Sequence, residues 1–155
     1  MNLPHSQQLE DGYCLAACAQ MLMAVQGMQR DQIDLARLLG IRPALGAAFP
    51  NVLRLDSRLW RITCRAGTEE DLLRALSENA APLLAVNTSQ LPYWHSTTQH
   101  VIVLAGIDDA PPQDLHERMA LVHDPAFSEP LRVSLGDVLL AWDEMDNFYA
   151  LIERK

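Results

Sequence analysis

Apolar residues follow two regimes along this chain. From Tyr13 to Gln26 they are nearly uninterrupted, with only Gln20 and Gln26 polar before Gly27. A segment greasy on every side predicts a buried central helix, and Gly27 is its C-terminal stop. Asp31 to Leu39 predicts a second helix, capped by Asp31 and ended by Gly40. Ile41 to Pro50, with two prolines and Gly46, reads as a loop, and Asn51 to Leu59 as a short helix. Trp60 to Arg65 alternates and predicts a short strand. Thr68-Glu69-Glu70-Asp71 opens like a capping box onto a helix through Leu72, Leu73, Ala75 and Leu76.

Beyond that point the period shortens. Leu83 to Asn87, Val101 to Ile107, Ala120 to His123, Leu131 to Val133 and Phe148 to Ile152 are β-like runs, interrupted by one capped helix from Ser134 to Trp142. Helices first and strands later predict an α+β fold with N-terminal helices and a C-terminal antiparallel sheet, rather than alternating βαβ units. No internal repeat, low-complexity tract or long linker divides the chain, so residues 1–155 read as one domain.

Composition narrows the function classes. At 155 residues, a domain can bury a core without disulfides or metals. A formal charge of −8 argues against nucleic acid as a partner, because phosphate binding needs a basic surface. The apolar runs fall short of a membrane span. Met1-Asn2-Leu3-Pro4-His5 has neither the basic start nor the apolar stretch of a secretory signal. Three cysteines are an odd number with no disulfide spacing, and a reducing cytoplasm is the simplest home. No cofactor or metal is predicted, and the oligomeric state is left open.

The chemistry lies where the patterns change. Cys14 stands where a loop containing Asp11 and Gly12 gives way to the apolar helix, and a thiol at a helix N-terminus is favoured as thiolate by the helix dipole. Gln8, six residues upstream, can fold back and offer its amide N–H to a developing oxyanion, together with the Cys14 backbone N–H. His100 opens a strand, and Asp124 ends the next. On adjacent antiparallel strands the carboxylate would accept Nδ1–H of the imidazole and fix its tautomer. A nucleophile, a base, an orienting group and oxyanion donors together make a cysteine hydrolase.

Gln8-x5-Cys14-x-x-Ala17, followed by an apolar helix ending at Gly27, resembles the opening motif of the bacteriocin-processing, double-glycine-leader cysteine peptidases. The run from His100 to Asp108 is similar to their histidine strand, and Val122-His123-Asp124-Pro125 to their Asp-Pro motif. Trp142 and the strand from Phe148 to Ile152 also suit such domains. The resemblance spans nearly the whole chain. It implies a papain-like fold, a peptide or protein substrate with small residues such as Gly-Gly at the scissile bond, and catalytic roles for Gln8, Cys14, His100 and Asp124 only. The chain departs from the pattern at Leu15, where many relatives carry glycine, at Tyr13, and in a long Ile107 to Met119 connection containing Pro111 and Pro112. The best-known members are domains of membrane exporters. With neither a membrane segment nor a phosphate-binding loop, this chain reads as a stand-alone member.

Two rival functions share these residues. The same fold could bind a peptide without cleaving it. Alternatively, Cys14 and Cys18, one helical turn apart, could form a redox pair, although that placement is poor for a disulfide. Cys18 and Cys64 read as structural. His5, His95, His116 and His123 are the other candidate bases; His123 should point away from Asp124, since neighbouring strand side chains alternate. Asp11 reads as a helix cap.

Overall fold

The computed structural model describes residues 1–108 and 117–155. Pro111, Pro112 and His116 lie outside the described residues.

The chain opens with an extended strap and then α1 (Cys14–Val25) and α2 (Gln32–Leu39). A 3-10 helix (Phe49–Leu55) leads into β1 (Trp60–Ala66) and α3 (Glu69–Ser77). After β2 (Leu83–Asn87) and a short 3-10 turn (Thr88–Gln90) come β3 (Gln99–Ile107), β4 (Met119–His123), β5 (Leu131–Ser134), α4 (Leu135–Asp143) and β6 (Phe148–Arg154). The six strands form one sheet in the order β1-β6-β2-β3-β4-β5, and every pairing is antiparallel. The predicted α+β fold with helices before an antiparallel sheet is what the structure shows.

The apolar runs explain the layering. Because strand side chains alternate, β3 sends Val101, Val103 and Ala105 to one face and Ile102 and Leu104 to the other, and all five are buried. The first face packs on α1 and α2 through residues such as Met21, Met23, Leu35 and Leu39. The second is covered by α4 with Val138 and Trp142, and by Leu72 of α3. A strand buried on both faces reads as a continuous apolar run, which is why β2 and β3 were legible without alternation. Among the described residues no helix is long and apolar enough to cross a membrane.

Helix ends show how the chain is punctuated. Asp31 Oδ1 accepts the Ile33 N–H at 2.8 Å, and Gly40 closes α2 in the left-handed region at φ 68°. Thr68 and Asp71 form the reciprocal capping box expected for α3. Ser134 precedes α4 but makes no side-chain cap. At α1 the expected cap is absent as well: Tyr13 is the N-cap residue and makes no side-chain cap bond. Asp11 instead turns its carbonyl to the Ala44 N–H at 2.9 Å, because Gly12, at φ +90°, bends the chain away before the helix begins.

Met21 is completely buried beneath the sheet, whereas Leu140 of α4 is 56% exposed. Met21→Ala should therefore lower unfolding free energy by about 2–5 kcal/mol in urea titrations, while Leu140→Ala should change it by about 0.5 kcal/mol or less.

Candidate active site

The site forms where the N-terminal end of α1 meets the leading end of β3 and the trailing end of β4. Antiparallel pairing of β3 with β4 matches Val103 to His123, which brings His100 and Asp124 to the same end of the sheet. His100 Nε2 lies 2.6 Å from Asp124 Oδ1, with both side chains almost wholly shielded from water. This corrects the expected geometry in one respect: the nitrogen facing the carboxylate is Nε2, not Nδ1. The ring therefore turns its other nitrogen, Nδ1, away from the carboxylate, and Cys14 lines the same cleft as the imidazole.

Asp124 is satisfied on every side. Its Oδ2 accepts the Tyr93 hydroxyl at 2.8 Å and the Trp94 indole N–H at 2.9 Å, and Oδ1 also accepts the Ala126 N–H at 3.0 Å. Burial alone would push the carboxyl pKa up; the bond to His100, its positive charge and these further donors outweigh that and hold it below the usual range. Burial likewise opposes the charged form of His100, but hydrogen bonds to Asp124 and then to Cys14 raise its pKa from 6.5 to about 9. The imidazole is thus held as a cation at neutral pH. The Trp94 ring stands edge-on to it, with centroids 4.9 Å apart.

Tyr93 and Trp94 belong to the segment between β2 and β3, where the sequence offered only His95 as a candidate. Two adjacent aromatics with polar tips in such a loop were the available signal, since both types find hydrogen-bond partners when buried. The second unread wall is the 42–46 turn. Its Arg42–Gly46 bridge packs on Gly12 so closely that a Cβ there would stand 2.8 Å from the Gly46 nitrogen. The space between these walls is a cleft of about 370 Å³, lined by Gln8, Cys14 and His100 together with Ala44, Gly46, Ala48, Trp94 and Thr98.

All four residues singled out in the sequence therefore converge, three on the cleft and Asp124 behind His100. Gln8 is held by its main chain, its N–H donating to the Pro125 carbonyl at 2.7 Å. Cys18 lies one turn deeper, fully buried, with Sγ 3.6 Å from the Val101 carbonyl. Burial first, then the charges of Cys14 and Asp124, raise its pKa well above the ordinary thiol value. His123 pairs with His5 and takes no part in the bond between His100 and Asp124. Its Nδ1 meets His5 Nδ1 at 3.1 Å, and His5 Nε2 donates to the Phe127 carbonyl at 2.7 Å. His95 is exposed. Among the described residues no group of three or more His, Cys, Asp or Glu side chains could hold a metal ion.

An α+β architecture in which a buried helix opening on Cys14 packs against a six-stranded antiparallel sheet is a papain-like fold. The chain belongs to the Peptidase C39-like family, whose model matches residues 1–149. The fold is similar to the crystal structure of a Bacillus anthracis protein described as a candidate C39-like peptidase. That likeness has a TM-score of 0.77 at 15% identity, covering 99% of this chain and 96% of the other. A comparison with curated proteins finds no match.

The two shifted histidines predict opposite limbs of a stability–pH curve. His100 is raised to about 9, so its contribution is complete below about 6.5 and is lost as pH climbs through 9. Burial and then the neighbouring His5 lower His123 to about 4, so its contribution is complete above about 6.5 and is lost as pH falls through 4. Urea midpoints measured from pH 4 to 9.5 should peak near neutrality. Asp124→Asn should flatten the alkaline limb, and His123→Gln the acid limb.

Proposed function

We propose that this protein is a cysteine peptidase whose resting site pairs a Cys14 thiolate with the His100 imidazolium. The observation that carries the reading is the buried 2.6 Å contact between His100 and Asp124 beside a helix-start cysteine on an open cleft. The N-terminus of α1 supports it, because Tyr13 makes no side-chain cap bond there and leaves the positive end of the helix dipole to the thiol.

In the reaction, Cys14 Sγ adds to the scissile carbonyl and forms a tetrahedral oxyanion. The backbone N–H of Cys14 and the side-chain amide of Gln8 stabilise that oxyanion. His100 gives its proton to the leaving amine as the C–N bond breaks, leaving an acyl thioester. A water molecule, deprotonated by His100, then adds to the thioester carbonyl and expels the thiolate, releasing the acid. Asp124 holds the imidazole in orientation through both steps.

We infer a peptide substrate with small residues at the scissile bond. One wall of the cleft runs from Ala44 to Phe49, and its small residues Ala44, Gly46, Ala47 and Ala48, set between Leu45 and Phe49, support close approach of an extended backbone. The three cysteines are free thiols, which suits an enzyme of a reducing compartment such as the cytoplasm.

Iodoacetamide separates this reading from a binding module. Cys14 should be alkylated ahead of Cys18 and Cys64. His100→Ala should slow it at pH 6 by about 100-fold or more. Cleavage of an internally quenched Gly-Gly peptide should fall at least about 1,000-fold in Cys14→Ala. A Cys14 no faster than Cys64, and indifferent to His100, would sink the proposal.

A further inference from the structure

Gln32 is the first residue of α2, far from the nucleophile in sequence, and its side chain is buried with only 4% exposure. Its amide sits at the centre of a glutamine network. Oε1 accepts the Leu9 N–H at 2.8 Å, and Nε2 donates to the Gln7 carbonyl at 3.2 Å and to Gln20 Oε1 at 3.0 Å. Gln20, on α1, is locked in turn by donating to the Arg30 carbonyl at 3.0 Å.

Gln7 and Leu9 are the two chain neighbours of Gln8. One side-chain amide therefore grips the strap immediately before and immediately after the oxyanion donor. On the other side the strap is pinned to the loop after Asp124, through Gln8 N–H to Pro125 O at 2.7 Å and Gln7 Nε2 to Ala126 O at 3.4 Å. Gln8 has no comparable anchor at its own side-chain oxygen, since Oε1 is buried without a hydrogen-bond partner. The placement of its amide is then inherited from the main chain on either side. A methionine at position 32 would fill similar space without desolvating an amide; what glutamine adds is direction.

We propose that Gln32 is a positioning residue for the oxyanion hole: with Gln20 it ties the Gln8 strap to α1, the helix that carries Cys14. The proposal rests on the acyl-transfer reading above. Oxyanion donors act only at the right distance, and small displacements in such a site cost large factors in rate. Gln32 does not touch substrate, so its effect is confined to steps that build negative charge on oxygen.

Two electrophiles at the same thiol isolate that effect. Iodoacetamide is attacked at carbon with loss of iodide, and no oxyanion forms. p-Nitrophenyl acetate is attacked at its carbonyl, passes through a tetrahedral oxyanion and expels p-nitrophenolate, leaving an acetyl thioester. In Gln32→Met, alkylation of Cys14 and its pH profile should stay within twofold of the parent, while the p-nitrophenolate burst slows about tenfold or more. Gln8→Ala should slow the burst about 100-fold, and Gln8→Ala/Gln32→Met no further, because the second change acts through the first. Faster deuterium exchange at the Leu9 amide in Gln32→Met would show release of the strap directly. An unchanged burst in Gln32→Met, or a fall in alkylation and acylation together, would overturn the proposal. Failure of the underlying reading would look different: the parent itself would give no burst.

Discussion

The carboxylate of Asp124 lies wholly inside the protein, where an unpaired negative charge would cost several kcal/mol. Four donors meet that cost. His100 comes from β3, Tyr93 and Trp94 from the segment before it, and the Ala126 N–H from the turn that follows β4. None of these groups is adjacent to another in a regular element, apart from the neighbours Tyr93 and Trp94. Satisfying one buried anion therefore fixes the mutual position of a strand start, a long connection and a turn. Removing the charge would leave these donors unpaired in a shielded site, so the cost would spread well beyond the histidine.

That constraint explains why the cleft is ordered on both walls. The turn carrying Asp124 and Pro125 also receives the Gln8 main chain, so the strap is tied to the same loop that holds the carboxylate. Opposite it, Gly12 and the 42–46 turn pack backbone to backbone, and the chain enters α1 without a side-chain cap. The thiol is thereby placed at an open helix end rather than behind a capping residue. Cys18, one turn further into the core, shows what the same helix does to a cysteine without such a setting: burial keeps it a neutral thiol packed against the sheet.

Much of this was legible in the sequence, for identifiable reasons. α1 announces itself by an apolar run too long for a strand, and β2 and β3 by runs buried on both faces. Cys14, His100 and Asp124 stand out because each lies at a change of period. The rest sits in segments without a period. Tyr93 and Trp94 occupy a loop whose path depends on the carboxylate it serves, and local pattern carries no trace of that partner. The 42–46 turn is shaped by contact with Gly12, thirty residues away in sequence. Asp11 looked like a cap because aspartate before a helix commonly is one, yet the left-handed Gly12 turns it out of reach. The choice of Nε2 over Nδ1 depends on how the ring enters the site, and spacing along a strand does not encode it.

The account turns on His100 being a buried cation held between Asp124 and Cys14, and NMR titration of its imidazole tests that most directly. In the parent, His100 should stay protonated until pH approaches about 9, and removing the thiol in Cys14→Ala should lower that value. A His100 that titrates near 6.5, the ordinary histidine value, and does not respond to Cys14→Ala would contradict the account.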